Sequence, residues 1–325
     1  MDDTVPAPAP RSRLSWIFTG DDGLRAGWSL VLFFLFVTLL TFGLAYLARA
    51  LHLFNGAIGA TMTADATIRQ ELLGIATVGI AALLMALIER RRFGRYNLAG
   101  AAPVVDALKG MLWGLVMLSA LVGTLRLSGG IAFDRVALHG GAIAGYGLIW
   151  LIAFFLVGLF EEFTFRGYLQ FTLSRGVTGI VRAVSPGNAH AATIGFWVAA
   201  AVFSIILFAV AHLGNGGETP MGIVSVSMAG LLLVFSLWWT GSLWWAIGFH
   251  CTWDWAQSYL YGVADSGMVS DGRLLESHAI GPALLSGGTT GPEGSVLVVP
   301  TVLIAMLILA RTMPRRLPPV VDGRA

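Results

Sequence analysis

Residues 142–160 read AIAGYGLIWLIAFFLVGLF, and the run Glu161-Glu162-Phe163-Thr164-Phe165-Arg166-Gly167 follows without a break. A helix advances about 1.5 Å per residue, so roughly 20 apolar residues cross a hydrocarbon core of about 30 Å. In lipid the backbone of such a segment must bond within itself, which selects a helix. The stretch therefore predicts a transmembrane helix interrupted at its inner end by two carboxylates and a guanidinium.

Seven further apolar runs flank it, at residues 28–47, 72–87, 107–125, 194–211, 221–239, 243–261 and 296–309. The chain is 56% hydrophobic and 12% charged, with a mean hydropathy of +0.78. Soluble domains carry about 45–50% apolar and about 25% charged residues. The expected fold class is all-α: a polytopic transmembrane bundle of about eight spans with no soluble domain.

Residues 1–25, with Pro6, Pro8 and Pro10 among Ala and charge, read as a disordered cytoplasmic tail. The first apolar run starts too late and extends too far for a signal-peptide core. Residues 26–141 then hold three spans and residues 142–262 four. Residues 263–325 comprise a polar loop rich in Gly, Ser and Asp, the last span and a second tail.

Arg90, Arg91, Arg92 and Arg95 follow the second span, Arg175 and Arg182 the fourth, and Arg311, Arg315 and Arg316 the eighth. Basic residues in short loops are retained in the cytoplasm, so both termini are expected there. Arg49, Arg69, Arg126, Arg135 and Arg273 form a scattered outer minority. Abundant Ala, Gly and Arg with a single lysine, Lys109, points to a bacterial inner membrane.

The net charge of +2 and the absence of a basic face exclude nucleic acid as a partner. A lone cysteine, Cys251, excludes an internal disulfide, a Cys-based zinc site and a thiol redox pair. The 41 glycines are spread along helices and turns, where small residues let membrane helices approach. Trp238, Trp239, Trp244 and Trp245 around a short turn read as an aromatic belt at the headgroups.

Ionisable groups within a span cost about 2.5–3.5 kcal/mol each and are functional candidates by default. Glu162 and Arg166, four apart, share a helical face and pair. Glu161, about 100° round the helix, points elsewhere. His212 closes the fifth span, and His250 and Asp254 lie one turn apart in the seventh. Two carboxylates and two imidazoles from three helices form an inventory suited to hydrolysis.

In order, Glu161-Glu162-x-x-x-Arg166, Phe208-x-x-x-His212 and His250-x-x-x-Asp254 resemble the signature of the CPBP intramembrane proteases, which include CAAX prenyl protease 2, Abi and lysostaphin resistance protein A-like members. The resemblance implies an endopeptidase acting on a membrane-associated protein or peptide. It implies that Glu161 and His212 activate water, that His250 and Asp254 meet the oxyanion, and that Glu162 and Arg166 brace the site. Asp254 stands where many members have Asn, and an ionised carboxylate cannot donate to an oxyanion; it is read as orienting His250 or ligating a metal.

Glu161, His212 and His250 are the candidate metal ligands, a zinc-type set with one open position; a metal-free glutamate mechanism uses the same residues. The sequence lacks His-Glu-x-x-His, Gly-x-Ser-Gly and Gly-x-Gly-Asp, the marks of the other intramembrane protease types. Two other functions use the same inventory: an inactive scaffold or immunity-type interaction protein, and a proton-coupled transporter. One conflict stands. If the fifth span starts at the cytoplasmic surface near Ala191, His212 lies about 30 Å further on, at the wrong depth for Glu161.

Overall fold

All eight apolar runs are helical in the computed structural model, which describes residues 17–20, 23–52, 61–215, 217 and 219–318. The tail read for residues 1–25 lies outside the described residues up to residue 16 and at 21 and 22. Just before the first helix, Thr19–Gly20 (β1) and Gly23–Leu24 (β2) pair antiparallel.

Helices α1 (Ala26–Ala50), α2 (Ala64–Ile88) and α3 (Pro103–Leu127) are each 25 residues long. Between them Thr61–Met62 forms β3, and Ile131–Val136 forms β4 after α3. Then α4 (Gly141–Glu162) passes through a π-helical turn, Phe163–Leu169, into α5 (Gln170–Val184). After a tight connection α6 (Ala191–Ala199) runs through a second π turn, Ala200–Ile206, into α7 (Leu207–Ala211). The helices α8 (Pro220–Thr240) and α9 (Trp244–Trp255) complete the centre, α9 extending through Ala256–Leu260.

The loop beyond α9 is structured. It contains β5 (Val269–Ser270), β6 (Leu275–Ala279) and α10 (Ala283–Ser286) before α11 (Val298–Thr312). In it β5 pairs parallel with β3, and β6 antiparallel with β4, joining Ile131 to Ala279 and Val136 to Leu275. These ladders tie the loop across one end of the bundle.

Among the described residues six helical stretches are long and apolar enough to cross a membrane: Ala26–Ala50, Ala64–Ile88, Pro103–Leu127, Gly141–Val184, Ala191–Gly214 and Pro220–Thr240. The last two expected spans are shorter, 12 residues in α9 before its π turn and 15 in α11. The chain is thus a mostly helical membrane bundle.

The fourth span does not end at Phe160. Gly141–Val184 is one helical course of 44 residues, about 66 Å at an α-helical rise and twice what a bilayer needs. Arg175 in this course is level with the start of α1 and the end of α2: it donates to the Leu24 carbonyl just before α1 and pairs with Glu89 at the end of α2. The tryptophans also turn inward rather than forming a lipid-facing belt. Trp245 is fully buried, and the indoles of Trp244 and Trp239 donate to the Leu98 and Met313 carbonyls.

The central helix α9 sits against α3 at backbone contact. A Cβ on Gly248 would lie 2.0 Å from the Ala107 carbonyl oxygen, and one on Gly110 2.1 Å from that of Trp245. Small residues let membrane helices approach until backbones touch, and here they fix the helix that carries His250 and Asp254.

Candidate active site

The conflict over His212 resolves through the length of the α5–α6 hairpin. Gly195 in α6 lies against Ser174 and Thr178 of α5, level with Arg175 and so with the start of α1 and the end of α2. The hairpin turn therefore projects beyond that level. From Gly195 to His212 is about 25 Å along the chain direction, and from Arg175 back to Glu161 about 21 Å. The two helical courses meet at the same depth: the Phe165 and Phe208 ring centroids are 5.3 Å apart, one turn from Glu161 and His212 respectively. Directly after α7 the chain tightens into a 3-10 turn, His212–Gly214.

Glu162 and Arg166 are fully buried, and the Arg166 Nη1 donates to Glu162 Oε1 at 3.0 Å. Arg166 Nη2 donates to the Ser204 carbonyl at 3.0 Å, so the two π turns are joined through this guanidinium. Such turns add a residue to a helical turn and recur at functional sites. Gly230 of α8 permits the approach, since a Cβ there would sit 2.1 Å from the Ser204 oxygen. The guanidinium also stacks on Phe208, its Cζ 4.0 Å from the ring centroid.

His250 stands among three carboxylates. Its Nδ1–H donates to Glu162 Oε1 at 3.0 Å, a partner that can only accept. Its Nε2 lies 3.7 Å from Glu161 Oε2 and 3.4 Å from Asp254 Oδ2. His212 Nδ1–H donates to the Phe208 carbonyl at 2.8 Å, which leaves Nε2 of a neutral ring as an acceptor. Phe208 is the hub of the motif: its ring centroid is 4.9 Å from that of His212 and 6.4 Å from that of His250.

Glu161, His212, His250 and Asp254 line one cavity of about 790 Å³. Of the six candidates, these four face the cavity and Glu162 and Arg166 stand behind it. Its other walls include Phe154, Val157, Leu232 and Phe249, so the polar groups are set in an apolar vessel. The rim is built from Thr61, Thr63, Ser266 and Met268, at the end opposite the arginine clusters.

Three acidic residues of the cavity were not singled out by sequence reasoning: Glu71, Asp265 and Glu293. The Trp253 indole and the Ser266 hydroxyl donate to Glu293, at 3.0 and 3.1 Å, and the Ser258 hydroxyl to Asp265 at 2.8 Å. The loop beyond α9 is therefore strapped to the site helix. Burial, reinforced by Asp254 and Glu293 nearby, pushes the Asp265 carboxyl well above its ordinary value.

Among the described residues one group has three ligand atoms within 4.8 Å of one another: Asp254, Asp265 and Glu293. Two of its carboxylates are already engaged by Ser258, Trp253 and Ser266. Glu161, His212 and His250, the candidate zinc-type set, do not have three ligand atoms within that spacing.

No curated protein and no solved structure matches the chain. Residues 143–256 match the family model described as type II CAAX prenyl endopeptidase Rce1-like. That span runs from α4 to the start of the π turn after α9 and contains the ordered motifs with their buried ion pair and cavity-facing side chains. Over residues 143–256 the chain is thus similar to the type II CAAX prenyl endopeptidase Rce1-like family, which supports the resemblance to the CPBP intramembrane proteases.

Proposed function

We propose that the chain is an intramembrane endopeptidase whose general base is Glu161. The observation that carries this is the half-buried Glu161 carboxylate, its Oε2 without a hydrogen-bond partner in the protein and 3.7 Å from His250 Nε2 at the wall of a shared cavity. A base of this kind must sit within reach of one water and of the scissile carbonyl.

In this reading Glu161 takes a proton from water as the oxygen attacks the peptide carbonyl, with His212 Nε2 orienting the same water. The proton then passes from Glu161 to the leaving amine. His250 has given Nδ1–H to Glu162, so a proton on Nε2, held between Glu161 and Asp254, is the donor that meets the developing oxyanion. Asp254 cannot play that part as a carboxylate; it steadies the His250 ring. The apolar walls strengthen each of these interactions by excluding water.

The substrate is a membrane-associated protein or peptide that reaches the cavity from the end lined by Thr61, Thr63, Ser266 and Met268, opposite the arginine-rich end. If that end faces the cytoplasm, cleavage takes place toward the outer leaflet rather than near the cytoplasmic face. The test compares membrane proteomes of cells bearing the native chain and Glu161→Gln. Accumulation of an uncut precursor supports the reading; identical proteomes, with both proteins present at equal level, refute it in favour of a scaffold.

A further inference from the structure

Five carboxyl groups line the cavity: Glu71, Glu161, Asp254, Asp265 and Glu293. Against them stand two imidazoles and one guanidinium, and that guanidinium, Arg69, pairs with Asp65 one turn earlier on the exposed face of α2. The vessel is thus acidic, and one of its acids has no structural employment.

Glu71 is only 8% exposed, and its Oε2 is buried with no hydrogen-bond partner in the protein. It lines the same cavity as Glu161 and His250. It belongs to α2, outside the matched domain. Glu89, at the far end of the same helix, is the contrast: Ser29, Arg91 and Arg175 all donate to it. A buried carboxylate without donors is costly, by about 1–3 kcal/mol or more for a charged group, so Glu71 is placed for donors that arrive from outside the chain.

Resting on the endopeptidase reading, we propose that Glu71 recognises a cationic side chain of the substrate, Lys or Arg, next to the bond held at Glu161 and His250. A neutral amide would satisfy one oxygen and bring no charge to offset the Glu71 carboxylate. An ammonium or guanidinium brings several donors and an offsetting charge, and such charge-assisted bonds are roughly twice as strong as neutral ones. The preferred substrate is an apolar peptide with a single basic residue near the cleavage point.

The test uses the full-length chain in lipid nanodiscs and fluorescein-labelled Ala/Leu peptides identical except for a central Lys, norleucine or Glu. Binding is read on a Glu161→Gln background to prevent turnover. The Lys peptide is expected to bind about ten- to a hundredfold tighter than the norleucine peptide, and the Glu peptide weakest. Adding Glu71→Gln removes the Lys preference, so that the Lys and norleucine peptides bind alike, whereas Glu71→Asp retains part of it.

Equal affinity for the Lys and norleucine peptides overturns the proposal, and this comparison needs no change at Glu71. A Lys preference that survives Glu71→Gln, in protein whose thermal melt is unaltered, also overturns it. The two readings fail separately. Native protein that prefers Lys but cuts none of the peptides retains the recognition and loses the hydrolase; protein that cuts Lys and norleucine peptides equally well does the reverse.

Discussion

The two ends of this bundle treat buried carboxylates differently. At the arginine-rich end Glu89 is met by Arg91 and Arg175, and Asp106 by Arg316 at 3.0 Å. At the other end Glu71 and Glu161 each present a buried oxygen with no partner in the protein, and Asp254, Asp265 and Glu293 crowd one another. The boundary runs between two neighbours in sequence: Glu162 takes Arg166 and His250 on one oxygen, its other being buried without a partner, and Glu161, with no arginine beside it, turns to the cavity. Paired charges hold the helices; unpaired ones are left to act on something that enters.

The largest expected effect tests the unpaired side. Glu161→Gln should lower the cleavage rate by about 10²–10⁴-fold, the usual share of a general base, while the thermal melt in detergent stays where it was. A matching fall in stability would make Glu161 a structural acid and erase the distinction. The paired side should behave in the opposite way. Arg166→Ala leaves Glu162 charged and fully buried beside His250, and breaking such a pair costs about 3–5 kcal/mol. Denaturant unfolding should register that loss before any assay of activity.

Next in size is the seating of α9. Gly248→Ala places a methyl 2.0 Å from the Ala107 carbonyl, and overpacking of this kind costs about 1–3 kcal/mol. Because α9 carries His250 and Asp254, cleavage should fall along with stability, unlike the clean separation expected at Glu161. An unchanged melt would show that α3 and α9 are free to part.

Much of this contrast was legible in the residues. The apolar runs gave the bundle, since in lipid a run of that length and composition can only be a helix. The spacing of Glu162 and Arg166, and of His250 and Asp254, placed each pair on one helical face, where the structure has them. The depth of His212 was not legible, because apolarity marks where a helix meets lipid and not where a hairpin continues past it. Gly195 against Thr178 carries that information, and it is a tertiary contact. Glu71 was passed over because the second span was started at Leu72; the helix begins at Ala64, capped by the Thr63 hydroxyl. Ala64, Ile68 and Glu71 recur at i, i+4 and i+7, the inward face of that helix, and this was the signal that could have found it. Asp265 and Glu293 sat in a stretch whose polarity read as a solvated loop, whereas its strands fold it back over the cavity.

The smallest effect concerns that loop and is read through pH. The Asp265 carboxyl is held well above 3.8 by burial, with Asp254 and Glu293 adding to the cause. The folded loop therefore binds more protons than the open one, and its closure is strongest in acid and weakens as pH rises from about the unfolded value through the folded one. Amide exchange over residues 262–270, corrected for the intrinsic pH dependence, should show opening that grows with pH while α3 and α9 stay protected, a local rather than global loss. Asp265→Asn keeps an acceptor for the Ser258 hydroxyl and removes the charge, so its loop should stay closed across the range. If the native loop and the Asn variant open alike, Asp265 is no more than a spacer, and the crowding of acids at this end governs the substrate alone and not the door through which it comes.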